Sequence, residues 1–158
     1  KEKNLIYLSK GVMAHFVGLY SPIIRVFLIF MELTFLIGRI LYGGFFIVMG
    51  MNHFTKFSAM AGYASSKRVP FPSVAVVVTG LMIVFGGLGI VTGVYVELSV
   101  LLIVIFLFLV TIMMHNFWAV LDEQEKMLQM VHFLKNLALL GAGLMILSIP
   151  GPWSYGIF

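Results

Sequence analysis

The groups in this sequence that could bind a ligand belong to seven polar residues in otherwise apolar surroundings: Asn52, His53, His115, Asn116, His132, Lys135 and Asn136. His132, Lys135 and Asn136 have the spacing i, i+3, i+4, which places them on one face of a helix. The other four form two adjacent pairs, and each pair closes a long apolar run. Histidine exchanges protons near neutral pH, and its ring also forms hydrogen bonds, as amides do.

Several ligands fit such a set of side chains. Quinone carbonyl oxygens accept hydrogen bonds from imidazole and amide groups. Two histidines on facing helices could ligate haem iron, and one could hold the magnesium of a chlorophyll. A zinc ion takes a fuller set of ligands, so no metal site is predicted. Structural roles also stay open, because asparagines cap helix ends and lysines extend towards lipid head groups.

The composition indicates that lipid surrounds most of this protein. Of the 158 residues, 61% are hydrophobic and 10% are charged. Soluble domains are typically about 45–50% apolar and about 25% charged. The chain has no cysteine, which removes disulfides, iron–sulfur ligation and thiol chemistry. We interpret the net charge of +4 as contact with lipid head groups or a partner, and no nucleic-acid-binding motif is present.

The apolar runs predict an all-α, polytopic membrane protein. A spanning helix needs about 20 mostly apolar residues. Four runs have that length, at residues 33–54, 74–96, 98–118 and 127–149. We therefore expect a four-helix membrane domain over residues 33–149, with an interfacial helical extension at 1–32 and a short tail at 150–158. A fifth span within residues 4–31 is the alternative to an interfacial helix.

Topology brings the seven polar residues to one side of the membrane. With four spans, both termini lie on one side, and the charged loops 55–73 and 119–126 lie on the other. Spans one and three end at this loop side, and span four begins there. All seven residues are therefore predicted in one leaflet. Polar residues at membrane depth usually face protein or water, which indicates a polar pocket. The distribution of lysine and arginine does not determine the orientation.

Two further patterns describe packing and charge rather than a ligand site. Gly86, Gly89 and Gly93 fall on one face of the second span, a small-residue pattern that favours close helix approach. Arg25, Glu32 and Arg39 are spaced by seven and form a stripe on one helix face, where either base could neutralise the acid.

Four stretches of the sequence together resemble the DoxX family of integral membrane proteins. They are GRILYGGFFIVMGMNHF at residues 38–54, Gly86-Gly87, HNFW at residues 115–118, and FLKNLALLG at residues 133–141. The resemblance covers about residues 33–149 and implies a four-helix bundle in a prokaryotic cell membrane. It also implies a link to quinone-coupled thiosulfate oxidation and membrane oxidoreductase assemblies. Many relatives carry a glutamate shortly before the paired glycines, where this chain has Ile83, Val84 and Phe85.

Residues and resemblance together favour a membrane subunit of an oxidoreductase or electron-transfer complex, with a quinone-facing pocket in one leaflet. The alternative is a non-catalytic accessory subunit that stabilises a larger respiratory or photosynthetic complex. A transporter is disfavoured, because the chain has no evident inverted repeats or paired broken helices. The expected partners are the lipid bilayer and other membrane subunits. No catalytic residue, substrate or electron donor is identified by the sequence.

Overall fold

The computed structural model describes residues 22–157, and helices account for 82% of them with no strand. The helices are α1 (Pro22–Thr55), α2 (Phe57–Ser66), α3 (Pro72–Thr92), α4 (Val96–Met114), a 3₁₀ helix (Phe117–Ala119) and α5 (Glu123–Leu147). The predicted all-α class is confirmed. Of the predicted interfacial extension at residues 1–32, residues 1–21 lie outside the described residues, and residues 22–32 are the first turns of α1.

Three helical segments are long and apolar enough to cross a membrane: Pro72–Thr92, Val96–Ala119 and Glu123–Leu147. They correspond to the second, third and fourth predicted spans, so a multi-pass membrane protein is supported. The first predicted span, residues 33–54, lies within the 34-residue helix α1. A count of four spans stays a prediction.

The chain divides into two units, with the boundary between Ile37 and Gly38 inside α1. The described part of the first unit is the helical segment 22–37. Its Thr34 hydroxyl donates to the Phe30 carbonyl at 2.8 Å, within the helix. Of the predicted charge stripe, Arg25 and Glu32 belong to this unit, and both side chains are exposed.

In the second unit, α1 and α3 are antiparallel and touch through glycines. A Cβ on Gly43 would lie 2.6 Å from the Gly87 carbonyl oxygen, and a Cβ on Gly87 would lie 2.5 Å from the Gly43 oxygen. Two turns further along α1, a Cβ on Gly50 would lie 3.0 Å from the Gly80 carbonyl oxygen. The missing side chains let the two backbones meet directly, which is how small residues permit close helix packing in membranes.

The predicted glycine face of α3 has two different roles. Gly86 and Gly89 lie against α4, where an added Cβ would collide with Ser99. Gly93 instead ends α3, with a φ of 76° and its N–H donating to the Gly89 carbonyl. This left-handed conformation suits glycine and starts the short turn into α4.

Helix α5 completes the second unit by packing against α4 and α1. A Cβ on Gly143 would approach Val104 of α4 to 3.2 Å and the Tyr42 hydroxyl of α1 to 2.8 Å. The same Tyr42 hydroxyl donates to the Leu139 carbonyl at 2.8 Å. In the first half of α5, Phe133 packs on Phe117, which follows the end of α4, so α5 runs antiparallel to α4.

The guanidinium of Arg39 joins α1 to the end of α3 and to the C-terminal segment. Its Nε donates to the Ile90 carbonyl at 3.1 Å. One terminal nitrogen donates to the backbone carbonyl of Val91 at 2.8 Å, and the other donates to the backbone carbonyl of Ser154 at 2.8 Å. The Trp153 ring lies 5.0 Å from the guanidinium carbon, and Arg39 is only 2% exposed. The last carbonyls of a helix lack intrahelical partners and form its negative end, so a cation suits this position.

We predict that Arg39→Lys lowers the free energy of unfolding by at least about 2 kcal/mol, because an ammonium cannot reach three diverging carbonyls at once. Thermal unfolding of the purified protein in detergent measures this loss. The matched control, Arg25→Lys, changes an exposed arginine and is expected to leave the melting temperature within error. Equal stability of the two variants would contradict a structural role for Arg39.

Gly87→Ala is expected to destabilise the protein by about 1–3 kcal/mol, since the new methyl group meets the rigid Gly43 backbone. Gly44→Ala is the matched control, because nothing lies within 4 Å of a Cβ at that neighbouring position. Helix propensity alone favours alanine over glycine by about 1 kcal/mol, so the control is expected to be neutral or slightly stabilised. The same thermal assay compares the two, and a stabilised Gly87→Ala would contradict the close backbone contact.

Candidate functional site: a polar cluster at the loop side

Three side chains from α2, from the end of α4 and from α5 form a hydrogen-bonded chain. The His115 Nδ1 lies 2.8 Å from the Gln129 Oε1, and the Gln129 Nε2 donates to the Tyr63 hydroxyl at 3.3 Å. The Tyr63 hydroxyl donates to the Met114 carbonyl at 3.5 Å. Gln129 is only 6% exposed, so its amide depends on these partners.

Two further contacts each add one residue to the chain. The rings of His115 and His132 stack, with 5.2 Å between centroids and 27° between planes. The Lys135 Nζ lies 3.5 Å from the His132 Nδ1. We call Tyr63, His115, Gln129, His132 and Lys135 the loop-side cluster. The i, i+3 spacing on α5 therefore does bring the lysine to the histidine.

The chain between α4 and α5 explains how the two histidines meet. Helix α4 ends at Met114, and one 3₁₀ turn follows before Asp122 starts α5 by accepting a hydrogen bond from the Glu125 N–H at 2.8 Å. Such a carboxylate cap satisfies a free N–H at a helix start. Phe117 packs edge-to-face on Phe133 of α5, with 5.3 Å between centroids. This contact holds the first turns of α5 against the end of α4.

Asn136 lies one turn after His132 and is 6% exposed. No residue within 22–157 forms a hydrogen bond with its side-chain amide, and no buried side-chain nitrogen or oxygen in that range lacks a partner, so the amide atoms keep some exposure. Gln129, Asn136 and Gly143 are the buried residues of α5, and their spacing by seven places them on one face. Asn136 therefore offers an accessible amide, which can both donate and accept hydrogen bonds, beside the loop-side cluster.

The structure does not place His53 in the loop-side cluster. Its Nδ1 lies 2.9 Å from the Met49 carbonyl of its own helix, and its ring contacts Phe106 with 6.0 Å between centroids. Phe106 precedes His115 by nine residues, a helical rise of about 13 Å. Within the described residues, no hydrogen bond or ring contact joins His53 to the other two predicted histidines.

The remaining predicted residues lie at the edges of the site. Asn52 and Asn116 are half-buried. Asn116 precedes the 3₁₀ helix, where its carbonyl accepts from the Ala119 N–H at 3.0 Å and its side chain makes no capping bond. Across residues 22–157, no group of three His, Cys, Asp or Glu side chains is arranged to hold a metal ion.

Sequence reasoning missed two partners in the cluster and the partners of Arg39. Gln129 had a usable signal, because a glutamine three residues before His132 shares its helix face. Tyr63 carried no such signal in the sequence, because aromatic residues are common in loops at the membrane interface. Trp153 and Ser154 lie in the predicted short tail, yet both contact the Arg39 guanidinium.

Comparison with known proteins gives one match. The family model described as DoxX matches residues 34–116, from the first half of α1 to the His115-Asn116 pair. No curated protein and no solved structure matches the chain. The matched segment is more than half of the 158 residues, and it includes two helices that can cross a membrane. This chain therefore belongs to the DoxX family of membrane proteins.

Proposed function

We propose that this protein is a subunit of an oxidoreductase or electron-transfer complex in a prokaryotic cell membrane, and that its loop-side cluster binds the ring of a membrane quinone. The observation that supports this most directly is the stacked His115–His132 pair, with the unbonded and partly accessible amide of Asn136 one helical turn further along α5. These groups lie at the end of membrane-crossing helices, where a quinone ring could enter from the lipid.

The geometry favours a quinone over a haem held by two histidines. Axial ligation places the two imidazole nitrogens on opposite faces of the macrocycle. The rings of His115 and His132 are stacked at 5.2 Å, which leaves no room for a macrocycle between them. Quinone oxygens need only hydrogen bonds, which imidazole and amide groups supply without metal coordination.

We further propose that residues 33–54 of α1 form a fourth span. The antiparallel contacts of Gly43 with Gly87 and of Gly50 with Gly80 run alongside the membrane-crossing helix α3. A segment that is packed backbone to backbone over this length shares the depth of its neighbour in the bilayer. A fourth span places the α1–α3 and α4–α5 connections on the same side.

The cysteine-free chain permits a direct test of topology. Single cysteines at Lys67 and Leu121 are expected to react with a membrane-impermeant maleimide from one face of sealed vesicles. Cysteines at Tyr95 and Arg25 are expected to react from the opposite face, with the cysteine-free parent as control. Labelling of Arg25→Cys and Lys67→Cys from the same face would contradict a single crossing by α1.

Quinone binding is expected to raise the melting temperature of the purified protein in detergent. At a quinone concentration of 100 times Kd, the stabilisation is about 2.7 kcal/mol. Short-chain ubiquinone and menaquinone analogues serve as probes. Asn136→Leu and Lys135→Ala are expected to reduce the shift, whereas Lys126→Ala, which removes a half-exposed lysine paired with Glu123, is expected to keep it. No shift with either quinone would contradict the proposal.

A second candidate function is that of an accessory subunit without a ligand. The chain of hydrogen bonds from Tyr63 through Gln129 to His115 connects α2, α5 and the end of α4, which is what a packing element would do. In that case, Gln129→Leu lowers the yield of the assembled complex while the turnover per assembled complex stays constant. A quinone-dependent change in turnover would favour the first function.

A further inference from the structure

The positions of the protons in the loop-side cluster follow from one backbone carbonyl. The Met114 oxygen can only accept a hydrogen bond, so the Tyr63 hydroxyl donates its proton there. The Tyr63 oxygen must then accept from the Gln129 amide, whose NH₂ group is 3.3 Å away. The Gln129 carbonyl oxygen consequently faces His115 and can only accept. The Nδ1 of His115, 2.8 Å away, therefore carries a proton.

The reversed amide orientation makes one hydrogen bond fewer. If the Gln129 oxygen faced Tyr63, the phenolic proton would turn towards it, and the Met114 carbonyl would lose its donor. That carbonyl belongs to the last residue of α4, where the helix itself supplies no partner. The network thus selects the neutral His115 tautomer with a proton on Nδ1 and a lone pair on Nε2.

His132 has the opposite tautomer. A lysine ammonium has only donors, so the His132 Nδ1, which lies 3.5 Å from the Lys135 Nζ, is the acceptor. The proton of neutral His132 is therefore on Nε2. The stacked pair consists of one imidazole whose free nitrogen accepts and one whose free nitrogen donates.

We infer that the His115–His132 pair is a hydroxyl-binding site that takes the reduced, quinol form of a quinone in preference to the oxidised form. One hydroxyl oxygen can donate to the His115 Nε2 and accept from the His132 Nε2–H. A quinone carbonyl can only accept, so it leaves the lone pair of the half-buried His115 unmatched. This assignment of redox form rests on the proposed quinone function.

The tautomers are tested first, without any ligand. The chain has four histidines, and nitrogen NMR of ¹⁵N-histidine-labelled protein in detergent, assigned with His→Gln variants, reports the protonated nitrogen of each ring. We expect Nδ1–H in His115 and Nε2–H in His132. Tyr63→Phe removes the anchoring hydroxyl and is expected to give a tautomer mixture in His115. Tyr155→Phe, an exposed tyrosine distant in sequence, is the control. Nε2–H in unliganded His115 would overturn the inference.

Binding of the two redox forms is tested next. Under anaerobic conditions, decylubiquinol is expected to bind about tenfold more tightly than decylubiquinone. This ratio corresponds to the one hydrogen bond that the quinone cannot donate to His115. Tyr63→Phe is expected to narrow this ratio, and Tyr155→Phe is expected to preserve it. Equal or tighter binding of the quinone would overturn the hydroxyl assignment but keep the proposed function. Binding of neither form would overturn both.

Discussion

The hydrogen bonds of the Arg39 guanidinium are the interaction on which the rest of the second unit depends. A charged side chain at membrane depth is expensive unless protein groups satisfy it. Here the carbonyls of Ile90 and Val91, which α3 itself leaves free, accept two of its protons, and Ser154 accepts a third. The guanidinium and the unpaired carbonyls at the end of α3 thus satisfy each other's hydrogen bonds. Because these groups must lie within hydrogen-bond distance, they set the register between α1 and α3.

The glycine contacts follow from that register. With Arg39 at the end of α3, Gly43 lies against Gly87, and Gly50 lies near Gly80. Any larger side chain in these positions would separate the helices and draw the guanidinium away from the carbonyls. The cation and the glycines therefore act together, because the hydrogen bonds require the close approach that only the missing side chains allow.

The two ends of the second unit differ in how fully their polar groups are used. At the Arg39 end, the protein satisfies its own charge. At the loop side, the unbonded amide of Asn136 and the outer nitrogens of the stacked histidines retain hydrogen-bonding capacity. The family match includes His115 but ends before Gln129, His132 and Asn136. The functional proposal therefore depends on the geometry contributed by α5 as well as on family membership.

The sequence by itself determined the helical class and the membrane environment, because a long apolar run can satisfy its backbone hydrogen bonds in lipid only as a helix. It also determined that His132 and Lys135 share a face, because the spacing of residues along a helix is a local property. Only the tertiary structure decided which distant groups meet. It separated His53 from the other histidines, and it joined Tyr63 to Gln129 across 66 residues and Arg39 to Ser154 across 115. Such contacts depend on the register between two helices. Because side chains of both helices set that register, the residue spacing within one helix does not predict it.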